Sequence, residues 1–165
     1  GATSMQREST PSGDISECRR TSSFRFVAKP SNHWITTCEA ITQQTKSGKA
    51  LVAGGHTDSL TCDFNPKEGK RWTLSLKTSD QGILAGMARG DEVDLEIQFQ
   101  GALRTGVLIR SKGLDVAAGS LSRPGSIWLS KTLFGDEAHA AAASIATLML
   151  YTETLWSGTE CGSRP

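Results

Sequence analysis

Residues 71–112 read RWTLSLKTSDQGILAGMARGDEVDLEIQFQGALRTGVLIRSK. Inside this stretch Val93, Leu95, Ile97 and Phe99 alternate strictly with Glu92, Asp94, Glu96, Gln98 and Gln100. A period of two marks a strand with one buried and one wet face. Slipping the register by one residue would bury two glutamates and an aspartate, so the pairing is strongly specified. Upstream, Trp72, Leu74 and Leu76 alternate with Thr73, Ser75 and Lys77 in the same way. Downstream, Gly101-Ala102 is a tight turn and residues 103–110 form the return strand of a hairpin. Between these strands the period changes. Ser79 or Asp80 is placed to cap a short helix over residues 79–89 that turns Ile83, Leu84 and Met87 inward. Gly82 and Gly86 weaken that helix by about 1 kcal/mol each. Arg89-Gly90-Asp91 then turns the chain into the central strand. The same three letters spell an integrin-type RGD, but a tripeptide arises easily by chance and the turn is the reading adopted.

Working outward, residues 24–27 begin a strand that Pro30 interrupts. Residues 34–42 (WITTCEAIT) are rich in β-branched side chains and read as the next strand. Residues 46–49 turn around Gly48, residues 50–53 are a short strand ended by Gly54-Gly55, and residues 57–64 are a further strand. Residues 65–70 (NPKEGK) are a turn by composition, residues 113–125 a long Gly- and Ser-rich loop, and residues 126–130 (SIWLS) a short apolar run. Residues 138–143 are mostly alanine, the best helix former. From Ile145 polarity alternates again, which predicts a long terminal strand over residues 145–156; a helix over 136–150 is the competing reading.

A chain of 165 residues is long enough for one domain with a sizeable core. The expected division is a polar N-terminal arm over residues 1–23, one β-sandwich over 24–156 and a polar tail over 157–165. Lys and Arg number 18 against 17 Asp and Glu, a net of +1, so no global charge points to nucleic acid or a membrane. No apolar run approaches the ~18 residues that would span a bilayer. The first 23 residues lack the apolar centre of a signal peptide. A cytosolic chain, a trimmed one and one released from a precursor all read this way. Cys18, Cys38, Cys62 and Cys161 lack paired metal-site spacing. They are expected to be free, partly buried thiols or to form an incidental bridge, with two disulfides in any of three pairings as the secreted alternative.

Chemistry-bearing patterns are sparse. His56-Thr-Asp58 is the one local His/acid pair, without a nucleophile motif beside it. Asp91, Glu92, Asp94 and Glu96 could hold a divalent cation, but read more simply as the wet face of a strand. His33 and His139 stand apart from any such pattern. No cofactor or metal is expected and no catalytic residue is assigned. Arg19, Arg20 and Arg25 stand where an arm meets the first strand, so they are candidates to touch RNA or a neighbouring subunit. Trp34, Trp72, Trp128 and Trp156 are spread along different strands, as core and interface anchors are.

Two resemblances follow from quoted residues. Trp72, Ile83-Leu84, Arg89-Gly90, residues 93–99, Gly101 and residues 107–109 resemble in layout a segment of the coat proteins of picorna-like plant viruses, the comovirus and nepovirus group. That implies a jelly roll assembling with other copies or other coat subunits of a shell, with genomic RNA as a further partner. His33-Trp34-Ile-Thr-Thr-Cys38-Glu39 is similar to the opening of periplasmic invasion-associated proteins of bacteria. The leading expectation is a mainly β chain, an antiparallel β-sandwich or jelly roll with one or two short helices. It would serve as a virion coat subunit rather than an enzyme. The alternative is a secreted or periplasmic disulfide-bonded β-domain that binds a protein partner.

Overall fold

The computed structural model describes residues 2–9, 15–28, 34–48, 50–78, 84–100, 105–122 and 124–156. The fold is mainly β. Ten strands form one sheet: β1 (Ala2–Ser9), β2 (Ile15–Ala28), β3 (Trp34–Ser47), β4 (Ala50–Asn65), β5 (Trp72–Thr78), β6 (Leu84–Arg89), β7 (Asp94–Gln100), β8 (Gly106–Ser111), β9 (Leu114–Ser120) and β10 (Ser126–Leu129). One helix, α1 (Gly135–Trp156), follows. The strands stand in chain order and every pair is antiparallel. That order is a meander. A jelly roll distributes its strands over two sheets, and the described strands do not.

The register explains the core. Ala40, Leu60, Leu76, Gly86, Ile97, Ile109, Ala117 and Leu129 pair successively across β3 to β10 and so share one face. A parallel row runs Phe99, Val107, Gly119, Ile127. The side chains of both rows are buried as far as β9. On the opposite face of β7, Asp94, Glu96, Gln98 and Gln100 are exposed, as their alternation requires.

Helix α1 lies on the inner face. Ala140, Ala141, Ser144, Ile145, Leu148 and Tyr151 are buried at spacings of three and four, the helical period. Asp136 and Glu137 occupy its first turn, where negative charge complements the helix dipole. Asp136 also accepts the backbone N–H of Lys70 at 3.3 Å, tying the 65–70 turn to the helix start. The terminal strand expected over residues 145–156 is therefore helix. Alternating polarity there is incidental, and good helix formers from Ala138 to Leu150 take the state that buries them against the sheet.

Three further expectations are corrected. Residues 84–89, expected in a helix, are strand β6. Gly86 there permits a close approach: a Cβ on it would collide with the Ser75 carbonyl. Residues 114–120, expected within a loop, are β9. Lys112 (φ 50°) and Gly113 (φ 78°) make the two-residue hairpin turn with positive φ at both positions that suits right-twisted strands. The stretch expected as an arm, residues 1–23, carries β1 and the start of β2. The turns around Gly48 and at Arg89-Gly90-Asp91 and the β7–β8 pairing are present as expected. The Gly101-Ala102 turn and the 157–165 tail lie outside the described residues.

Candidate functional site

The His56/Asp58 pair singled out in the sequence is assembled as such. His56 and Asp58 lie two residues apart on one face of β4, and His56 Nε2 sits 3.0 Å from Asp58 Oδ2. The Gln44 amide is 3.2 Å from His56 Nδ1 and donates to it, which leaves Nε2–H to donate to the carboxylate. Thr42 Oγ1 donates to Asp58 Oδ1 at 2.9 Å. The Asp58 N–H donates to Thr78 Oγ1 at 2.8 Å, and the same hydroxyl donates back to the Asp58 carbonyl at 3.2 Å. Ladder pairing of β4 with β5 ends at Ser59 and Lys77. The Thr78 side chain thus carries the ladder one residue further. Asp58 is 3 % exposed, and this network supplies the hydrogen bonds that a buried carboxylate needs. In a hydrolase the second ring nitrogen would activate a nucleophile. Here it faces an amide, so the cluster closes the end of a ladder.

The acidic residues of the β6–β7 region meet basic side chains of the same chain. Lys70 Nζ lies 3.4 Å from Asp91 and 3.7 Å from Glu92, and Arg89 lies 3.9 Å from Asp94. The hydrogen bond that Lys70 donates to Asp91, with the charge of Glu92 next, holds the Lys70 ammonium above its ordinary range. Glu96 pairs across the ladder with Arg110, which itself bonds Asp115 at 2.7 Å. Among the described residues no group of three or more metal-binding side chains gathers.

Arg19, Arg20 and Arg25 are not brought into one patch. Arg19 and Arg25 are exposed on one face of β2, about 20 Å apart along the strand. Arg20 is half-buried on the opposite face, where its Nε is buried without a partner.

The described cysteines, Cys18, Cys38 and Cys62, are not free thiols. Cys38 and Cys62 stand directly opposite each other on β3 and β4, both 1 % exposed, and are joined by a disulfide. Cys18 is disulfide-bonded as well.

The short apolar run at residues 126–130 supplies the last strand of the sheet. β10 pairs with β9 on one side, and among the described strands it has no neighbour on the other. Ile127 is 40 % exposed, Trp128 57 % and Leu129 43 %. These are the residues at which both buried rows run out: Ile127 follows Gly119, and Leu129 follows Ala117. Met149 of α1 lies against Gly125, just before the strand, and Leu150 is 37 % exposed. An apolar edge strand is a template for another strand. Proteins guard such edges with lysine, proline or a bulge. Residues 126–129 contain neither residue, and their pairing with β9 has no register shift.

No helix among the described residues is long and apolar enough to cross a membrane. Comparison with known protein families, curated proteins and solved structures finds no match to this chain.

Proposed function

We propose that this chain is a protein-binding β-domain of an oxidising compartment, periplasmic or secreted, without catalytic activity, which takes a strand of a protein partner onto β10. The observation that carries the reading is the uncovered β10 edge, where Ile127, Trp128 and Leu129 are exposed at the end of two core rows. Strand addition supplies affinity through main-chain hydrogen bonds and specificity through alternate side chains. The Cys38–Cys62 bridge supports the compartment, because such bonds persist mainly where thiols are not kept reduced. The likeness of the Trp34–Cys38–Glu39 spacing to periplasmic proteins points the same way.

The coat-subunit reading comes second. It is favoured by the absence, among the described strands, of any neighbour beyond β1 or β10, which would let a subunit add neighbours on two sides. In that form the shell subunit is a meander whose partners are further copies and genomic RNA, with Arg19 and Arg25 available to phosphates.

The experiment is photo-crosslinking in the cells that make the protein, with the crosslinker at Trp128 and, as control, at exposed Thr73. It is combined with thiol counting on the unreduced chain. A crosslinked protein from position 128 alone, lost in the Leu129→Pro variant, together with oxidised cysteines, is the expected result. Equal labelling from both positions would sink the docking edge. Reduced cysteines and shell-sized particles by light scattering would move the coat subunit to first place.

A further inference from the structure

We propose that the strand received by β10 is β10 of a second copy, paired antiparallel about a twofold axis through Trp128. The inference rests on reading β10 as a docking edge and names what docks there.

The hydrogen-bond phase of β10 decides the geometry. Ser130 donates its N–H to the Val116 carbonyl at 2.8 Å, across β9. In an antiparallel ladder the pointing direction alternates. Ser126, Trp128 and Ser130 therefore direct their main-chain groups at β9, and Ile127 and Leu129 direct theirs outward. A twofold that makes two sheets continuous stands normal to them and keeps inner face with inner face. The register centred on the strand sets Ile127 opposite the partner's Leu129, and Leu129 opposite the partner's Ile127. Each is a hydrogen-bonded pair, so four hydrogen bonds close. Trp128 then meets the partner's Trp128 as a non-hydrogen-bonded pair, with Cα atoms about 4.5 Å apart on the outer face. Sliding by two residues either way would oppose Leu129 to a glycine or Ile127 to Lys131.

Chemistry favours a second copy as the occupant. The incoming strand must continue two apolar rows, so it needs large apolar residues at i and i+2 and no charge between them. Ile127 and Leu129 flank uncharged Trp128 and meet that requirement. Residues 125–130 carry no charge, so self-pairing opposes no like charges. The other end strand of the described sheet, β1, reads ATSMQRES and offers no such spacing. Pairing an edge with itself is isologous and closes at two copies, where a head-to-tail contact would propagate.

The test uses the full chain with its native disulfides. Sedimentation from about 1 μM to about 1 mM should show a reversible monomer–dimer equilibrium. Leu129→Pro removes an outward N–H and leaves the β9 ladder intact. It should raise the dissociation constant at least about 100-fold with an unchanged melt. Trp128→Cys should form an intermolecular disulfide on mild oxidation, because directly opposed Cα atoms lie within bridging range; Ile127→Cys should not. A parent chain that stays monomeric throughout overturns the proposal. So does crosslinking through position 127 but not 128. A monomeric chain whose β10 still captures a different protein rejects the second copy and leaves the docking edge standing. A chain whose edge takes no strand at all rejects both.

Discussion

Replacing Gly119 with alanine tests the contact that holds helix to sheet. Gly119 lies on the inner face of β9, under α1. A Cβ there would collide with Ile145 Cγ2 and press on Val107 Cγ1 at 3.1 Å. Both neighbours are buried, Ile145 at 0 % and Val107 at 2 % exposed, so neither can swing into solvent. The helix would have to retreat by roughly 1 Å in a close-packed interior. Overpacking of this kind costs about 1–3 kcal/mol. Alanine in place of a strand glycine returns about 0.5–1 kcal/mol. The net expectation is a loss of about 1–2 kcal/mol, read as a melting temperature about 2–8 °C lower by circular dichroism with disulfides intact. Ile145→Ala alone should cost about 2–5 kcal/mol through the cavity that it leaves. In the double variant the new Cβ enters that cavity, so the two losses should fall short of adding by about 1 kcal/mol or more. A Gly119→Ala protein as stable as the parent, or a strictly additive pair, would refute the packing of α1 on β9.

Other perturbations have equally definite signs. Ile97→Asp puts a charge at a site 1 % exposed and should abolish the cooperative melt, whereas Glu96→Gln on the wet face should change stability by less than about 0.5 kcal/mol; similar melts for the two would mean that the faces of β7 are exchanged. Replacing Cys38 and Cys62 together by alanine removes a bridge spanning a sequence separation of 24 and should lower stability by about 2–4 kcal/mol in denaturant unfolding. Lys70, raised by the Asp91 hydrogen bond and then by the charge of Glu92, contributes stability that is fully present below the pKa of the unfolded chain and is lost as pH rises through the folded value. The melting difference between parent and Lys70→Gln should therefore be small and shrink between about pH 9 and about pH 12; a difference that grows with pH would contradict the pairing.

What could be read from the sequence depended on whether a strand buries one face. β5 and β7 do so residue by residue, and their alternation shows it directly. β9 does not. Arg110 pairs with Asp115 and Ile109 with Ala117, so Val116 is the extra residue of a bulge, and Val116 and Ala117 are buried in succession. That bulge erases the period of two. β6 is hidden for a different reason: Leu84, Ala85, Met87, Ala88 and Arg89 are good helix formers, and only Leu84 and Ala88 of the strand are buried, which is a helical spacing as well. β1 and the first half of β2 are polar strands whose warrant is pairing with neighbours, and pairing leaves no hydrophobic pattern in the sequence.

The candidate sites divide along the same line. His56 and Asp58 could be recognised as a same-face pair from their spacing. Thr42, Gln44 and Thr78, which determine what the pair can do, come from other strands and could not. Trp128 was legible as an anchor and SIWLS as an apolar run, yet neither says that the run is an edge. Edge position belongs to the order of all ten strands. An interior strand with these residues would be unremarkable, since its apolar side chains would be covered on both sides. Placed last, the same four residues leave Ile127 and Leu129 as the open ends of two rows that are buried from β7 to β9, and a further strand is what would cover both.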